Sequence, residues 1–167
     1  MVTSSGSTPY VLKFLELGYK KGALTSIITS NKIKKLKYVN HTIAMMVGPE
    51  IITGSTRMKS GTATKMVLNM ISTTTMIKLN KVYKNYMIDL KVSNKKLEKR
   101  AINIISEVTC LNYESSLEIL KNANFKVKNA LLMNLKKITD DESCKILRKF
   151  KGNLRNALIN LNKWGLK

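Results

Sequence analysis

The chain has 167 residues, 44% of them hydrophobic and 24% charged, with a formal net charge of +20. That length allows one ordinary core, or a small core plus a helical appendage. No apolar run is long enough to span a bilayer, the polar start from Met1 to Pro9 does not read as a signal peptide, and a single histidine, His41, excludes a His-rich metal site and any triad drawing on two histidines.

Met1 to Thr3 reads as the tail of a strand, followed by the small polar loop Ser4-Ser5-Gly6-Ser7-Thr8. Pro9 suits the first position of a helix and Thr8 its N-cap. Val11, Leu12, Leu15 and Tyr19 share one face of that helix, which Gly22 ends. Ala23 to Thr29 is apolar and β-branched, so a short strand is expected there. Lys32 to Asn40 is a basic connection, and His41 to Val47 is a second strand stopped by Gly48-Pro49. This alternation points to a parallel α/β sheet.

A polar turn over Glu50 to Thr56 leads into a long helix, from about Arg57 to Leu79. Its apolar or small positions cover most of its circumference, which predicts burial between layers. Val82 to Leu90 reads as an irregular, extended connection. From Ser93 the pattern is helical throughout. Leu97, Ala101, Ile104, Ile105 and Val108 form one stripe, Asn112 caps the next helix, and Val127 to Leu135 forms another. Asp140 and Asp141 open a fourth helix, and Leu154, Leu158 and Leu161 mark a last one. The expected organisation is an α/β domain over 1–92 and a helical subdomain over 93–167.

Two stretches carry chemistry. Ser5-Gly6-Ser7-Thr8-Pro9 stands where a strand meets a helix N-terminus, which offers unpaired N–H groups and the positive end of the helix dipole. A phosphate would suit that place, and ordinary capping by Ser and Thr accounts for the same residues. The run Gly48-Pro49-Glu50-Ile51-Ile52-Thr53-Gly54-Ser55-Thr56-Arg57-Met58-Lys59-Ser60-Gly61-Thr62-Ala63-Thr64-Lys65 sets a carboxylate, hydroxyls and cations around a helix start. It suits a polar ligand with hydroxyls and a phosphate. The alternative is a helix capped by Ser55 or Thr56, with Arg57 paired to Glu50.

The element Ser5-Gly6-Ser7-Thr8 resembles the second phosphate loop of sugar isomerase (SIS) domains. The run from Gly48 to Lys65 resembles the hallmark motif shared by N-acetylmuramic acid 6-phosphate etherases and the glucokinase regulatory protein. The likeness continues through Lys65-Met66-Val67-Leu68-Asn69-Met70-Ile71-Ser72, Lys81-Val82-Tyr83, Asn85-Tyr86-Met87-Ile88-Asp89 and Asn94-Lys95-Lys96-Leu97. The family commonly has arginine at the position of Ser7, glycine at Lys84, leucine at Tyr86 and Thr-Gly at Thr109-Cys110. The resemblance covers nearly all of the chain and weakens after about residue 110.

The resemblance implies a partial SIS-type parallel sheet flanked by helices, then a small all-α bundle like a ubiquitin-associated domain. It implies a cytoplasmic carbon–oxygen lyase that cleaves the D-lactyl ether of N-acetylmuramic acid 6-phosphate. A carboxylate removes the proton next to the open-chain aldehyde, lactate leaves and water adds, with no metal or organic cofactor. The products are D-lactate and N-acetylglucosamine 6-phosphate. The family's two catalytic glutamates precede the region represented here. Neither Glu16 nor Glu50 matches them, so no catalytic residue is assigned and the chain alone is expected to be inactive. By the same resemblance Ser5 and Thr8 are phosphate ligands, and Glu50, Ser55, Arg57 and Lys59 are candidate substrate-binding residues. The implied partners are a sugar phosphate and either a second copy, since the family is dimeric, or a separate chain supplying the N-terminal half. A sugar-phosphate sensor of the glucokinase regulatory type is the alternative function.

The charge raises a third reading, nucleic-acid binding. Yet the lysines are spread along the chain, with short clusters only at Lys34-Lys35-Lys37, Lys95-Lys96 and Lys136-Lys137, and aromatics are 6%. No basic-aromatic stacking pattern appears. The richness in Lys, Asn and Ile, all with A/T-rich codons, accounts for the charge without a polyanionic partner. Neither a specific nucleic acid nor a membrane is expected as a partner. Cys110 and Cys144 match no metal spacing, and a reducing compartment is the expectation.

Overall fold

The computed structural model describes residues 1–161; the last part of the expected helical region, 162–167, lies outside the described residues. The chain divides into two compact units, Met1–Thr73 and Thr74–Lys167. That boundary falls within a helix and upstream of the 92/93 junction expected from sequence.

The first unit is α/β. Helix α1 spans Pro9–Lys20, strand β1 Ser26–Thr29, strand β2 His41–Ala44, and helix α2 starts at Lys59 and runs to Lys78. β1 and β2 pair in parallel, Ser26 opposite His41 through Thr29 opposite Ala44. The expected strand tail survives as a single parallel bridge, Val2 to Ile28, on the other side of β1. Thr3 N–H donates to the Ile28 carbonyl and Ile28 N–H to that of Met1, each at 3.0 Å. β1 is therefore central, and Ile27 and Ile28 on it are buried. Val11 and Leu15 of α1 pack with Ile27 as a small core, whereas Tyr19 is exposed.

The expectation that α2 is buried fails: Ser60 is its only buried residue, and Met66, Leu68, Met70, Ile71 and Ile77 are exposed. A helix apolar around its circumference needs cover on more than one side. The core of this unit, built on Val11, Leu15 and Ile27, includes no residue of α2. β2 is likewise mostly exposed, although strands in parallel sheets are normally covered on both faces.

The second unit is mostly helical. The stretch expected to be irregular holds a small antiparallel hairpin, β3 Val82–Tyr83 and β4 Tyr86–Met87. Five helices follow: α3 Lys95–Thr109, α4 Tyr113–Asn122, α5 Val127–Lys136, α6 Asp140–Lys149 and α7 Leu154–Leu161. Local chemistry sets their starts. The side chain of Asn94 accepts from Leu97 N–H, that of Asn112 accepts from Ser115 N–H, and Thr139 with Glu142 forms a capping box. Ile88 joins Ala101, Ile102, Ile105, Leu120, Leu131 and Leu154 in one core, so the segment before residue 93 packs with the helices. Ile102, outside the stripe read from the sequence, is also buried.

Two positions at which the sequence resemblance leads to an expectation of glycine lie in the left-handed region: Lys84 at φ 53° and Cys110, the α3 C-cap, at φ 60°. A side chain there crowds its own backbone by about 1–2 kcal/mol, part of which glycine returns through a freer unfolded chain. Lys84→Gly and Cys110→Gly are each expected to raise stability by about 0.5–1 kcal/mol, read as a higher urea midpoint at unchanged slope. A fall in midpoint for both would contradict this account of the two turns.

Candidate functional site

Three loops of the first unit leave the carboxyl ends of the parallel strands: Ser4–Thr8 after Val2, Ser30-Asn31 after β1, and the long run after β2 that enters α2. Open parallel sheets bind ligands at this end, where helix N-termini present free amides. The Ser4 carbonyl anchors the first loop. It accepts from Ser30 N–H at 3.1 Å, from Thr29 Oγ1 at 3.1 Å and from Asn31 Nδ2 at 2.9 Å. Gly6 follows at φ 75°, packed against Ile33 and Thr29 so closely that no side chain fits.

The first loop and the α2 start are joined through Ser60. This residue is buried, and its hydroxyl bonds the Ser4 hydroxyl at 2.9 Å and the Ser30 hydroxyl. Its amide donates to Glu50 Oε1 at 3.0 Å, while the Lys59 amide donates to Glu50 Oε2 at 3.1 Å. Glu50 thus caps α2 from ten residues upstream and sits against the positive end of its dipole. The Ser60 amide holds the Glu50 carboxyl below its ordinary pKa against partial desolvation, with help from the Lys59 amide and charge. An ionised carboxylate already bonded to two amides is a poor proton acceptor, and what Glu50 does in this structure is fix the start of α2.

The other sequence-predicted residues fall as follows. Ser5 is exposed, and its hydroxyl accepts from Ser7 N–H at 3.2 Å and from the Ser7 hydroxyl at 3.0 Å. Thr8 is the N-cap of α1 by position, but its hydroxyl bonds Thr3 at 2.8 Å and makes no capping bond. Lys59 donates its ammonium to the Pro49 carbonyl at 2.8 Å. Ser55 is half-buried in the turn before α2, with its amide on the Ile52 carbonyl at 3.0 Å. Arg57 is exposed and takes part in none of the ion pairs found among the described residues, so it is not the partner of Glu50. Glu50 and Lys59 are thus in the hydrogen-bonded cluster, Ser5 adjoins it through Ser4, and Thr8, Ser55 and Arg57 lie outside its bonds.

Sequence reasoning missed Ser4, Ser30 and Ser60. Ser60 stands within the long motif, and only its burial separates it from the surrounding hydroxyl residues. Among the described residues no group of His, Cys, Asp and Glu could hold a metal ion, and no helix is long and apolar enough to cross a membrane.

Comparisons with known proteins bear on both units. A family model described as the C-terminal lid domain of glucokinase regulatory protein matches residues 84–151. An N-acetylmuramic acid 6-phosphate etherase of Petrotoga mobilis is 52% identical over 135 residues, 80% of this chain and 45% of the relative. By sequence, the chain is a homologue of the N-acetylmuramic acid 6-phosphate etherases. The etherase of Clostridium beijerinckii is 47% identical over 164 residues, 96% of this chain and 53% of its own length. That of Bacillus subtilis is 47% identical over 147 residues, 87% of this chain and 48% of its own length. The chain therefore spans about half the length of the curated etherases it matches.

Proposed function

We propose that this chain is the sugar-phosphate-binding part of a cytoplasmic N-acetylmuramic acid 6-phosphate etherase, a carbon–oxygen lyase that releases D-lactate and N-acetylglucosamine 6-phosphate. The single observation carrying the reading is the Ser4–Ser60–Glu50 junction, which joins the Ser/Gly/Thr loop to the start of α2 at one end of the sheet. Homology to etherases over most of the chain supplies the substrate class. In this reading Ser5 and Thr8, with amides of their loop, hold the 6-phosphate, and Gly6 brings the backbone close to it. Ser55, Arg57 and Lys59 face the sugar, and Glu50 sets the α2 start on which they depend. The first unit is the partial SIS-type sheet, and the helices of the second form the ubiquitin-associated-like bundle.

The proton transfers belong to glutamates on polypeptide outside these 167 residues, carried on a longer protein or a companion chain, and the working assembly is dimeric. Purified alone, the chain should release D-lactate at below about one-hundredth of the rate of a full-length relative, because general acid–base groups supply about 10²–10⁴-fold. It should nevertheless melt higher with N-acetylglucosamine 6-phosphate than with N-acetylglucosamine, and the combined change Ser5→Ala and Thr8→Val should abolish that difference. Full turnover by the chain alone overturns the division of labour. A response to the sugar phosphate that survives the double substitution overturns the loop assignment.

A second reading, a non-catalytic sugar-phosphate sensor, draws on the match to the lid domain of glucokinase regulatory protein. Supplying the polypeptide that corresponds to the rest of the etherase separates the two. Restored lactate release marks the enzyme, and continued inactivity with intact binding marks the sensor.

A further inference from the structure

The second unit carries a basic depression that the etherase reading does not use. Its volume is about 370 Å³; four of its eight lining residues are the cations Lys126, Lys128, Arg148 and Lys151, and the other four are Asn129, Cys144, Leu147 and Gly152. None of the lining residues is a carboxylate. Charge on this protein is usually diffuse and solvated, so a count of lysines alone means little. Lys128 differs from the solvated pattern. Its side chain is only 13% exposed, and its ammonium makes no hydrogen bond shown among the described residues.

The one counter-charge near Lys128 is Asp89, at 3.8 Å, beyond hydrogen-bonding distance. Asp89 is itself shared with Lys81 at 3.4 Å. Asp140, whose carboxylate is close enough to feel the charge of Lys126, is taken by Asn124 at 3.0 Å and Asn129 at 2.9 Å. A largely desolvated ammonium whose one ion pair is at 3.8 Å, with no hydrogen-bonded acceptor shown among the described residues, costs free energy that an incoming anion would offset. Gly152, at φ 75°, brings its backbone beside the ammonium: a Cβ added there would touch the nitrogen at 3.4 Å. The start of α5 adds a partial positive charge, since its N-cap, Lys126, supplies no side-chain capping bond.

We propose that this depression is a binding site for a small phosphorylated molecule, with Lys128 as the buried anchor and Lys126, Arg148 and Lys151 as its rim. A phosphate group matches the donors better than a monoanion does, because it presents several strong acceptor oxygens and close to two charges to four cations. The volume accommodates a phosphomonoester of metabolite size. The site lies wholly within the second unit and does not depend on the assignment of the Ser5–Thr8 loop.

The test is titration of the full chain with inorganic phosphate against chloride at equal ionic strength, followed by calorimetry and by melting temperature. Wild type should bind with a dissociation constant of about 1 mM or tighter and melt higher in phosphate. Lys128→Met should weaken binding about tenfold or more, and Arg148→Met by several-fold. Without phosphate, Lys128→Met should melt within a couple of degrees of wild type, since it removes a desolvated charge whose pairing with Asp89 is long and shared with Lys81, while keeping the stem volume. Arg148 is exposed, so its variant carries the test if Lys128→Met does not fold. The titrations are made in the Ser5→Ala, Thr8→Val background, so that the loop of the first unit adds no phosphate binding, and Lys34→Met with Lys35→Met should leave the binding intact. The proposal is overturned if phosphate acts no better than chloride, or if the changes at Lys34 and Lys35 cost as much as that at Lys128. It is also overturned if Lys128→Met binds like wild type, or if only a duplex oligonucleotide, and not phosphate, binds in a Lys128-dependent way.

Discussion

Gly6→Ala is expected to cost the first unit about 3 kcal/mol, the sum of a left-handed backbone penalty and an overpacking penalty. Gly6 has φ 75°, and a Cβ built on it would meet Ile33 Cγ2 at 2.2 Å and Thr29 Oγ1 at 3.2 Å. The first distance is not compatible with any packed structure. Ile33 cannot simply rotate away, because a β-branched side chain has few χ1 choices and this one packs against the Val11–Leu15–Ile27 core. The loop must lift instead, and its Ser4 carbonyl then loses the three donors that fix it to the end of β1. For a unit of this size the loss amounts to a melting temperature lower by about 10 °C or more. Sugar-phosphate binding should disappear with it. The two contributions can be separated by adding Ile33→Ala, which relieves the contact but not the backbone. The double-mutant cycle should show a favourable coupling of about 1 kcal/mol or more between positions 6 and 33. If Gly6→Ala melts within a couple of degrees of wild type, the close approach at this loop is wrong, and so is its rigidity.

The helices of the second unit could be read from sequence because their signals are local. Asn94, Asn112 and Thr139 each stand three residues before the amide they accept from, and a stripe such as Ala101, Ile104 and Ile105 repeats at the helical period. The hairpin at Val82–Met87 gave no such signal. Its strands are two residues long, too short for alternation to register, and Lys84 stands where a turn with positive φ would advertise itself by glycine. The length of α2 was also legible, but its burial was not. An apolar circumference records what a helix would bury, and not whether the partner surfaces are present in the same unit.

The site divides along the same line. The Ser/Gly loop and the helix start were visible as short motifs, each with a free helix end to serve. Their junction was not, because Ser4 and Ser60 are 56 positions apart and Ser30 and Ser60 are 30 apart. Glu50 was visible as a lone carboxylate, yet the amides it caps lie nine and ten residues downstream, well outside the spacing of a capping box. Long-range pairings of this kind depend on how the strands order the loops, which local pattern does not encode.

Asn129→Asp is expected to destabilise the second unit by more than about 3 kcal/mol at neutral pH, and Asn129→Ala by about 2–3 kcal/mol. Asn129 is buried on α5, and its single amide nitrogen faces three acceptors near the start of α6: Asp140 Oδ1 at 2.9 Å, Ser143 Oγ at 3.0 Å and Cys144 Sγ at 3.0 Å. Alanine leaves those acceptors facing an empty space. Aspartate replaces the donor by a second carboxylate beside Asp140, in a place where neither can be solvated well. The pH dependence separates the two variants. Burial works against the charged form of Asp140, but hydrogen bonds from Asn129, Asn124 and Ser143, with the charge of Lys126, outweigh it and lower its pKa. A depressed folded pKa means that the wild-type contribution is complete above the ordinary value of 3.8 and fades as pH falls through the lower folded value. The carboxyl pair that Asn129→Asp creates with Asp140 has the opposite sign: sharing a proton raises one pKa, so stability is regained as pH falls from about 7 toward 5. Urea melts of wild type and both variants at about pH 7 and pH 5 decide the matter. Wild type and Asn129→Ala should change little between the two, and Asn129→Asp should recover about 1 kcal/mol or more at the lower pH. Parallel behaviour of the two variants would mean that Asn129 holds α6 by shape alone and that Asp140 draws nothing from it.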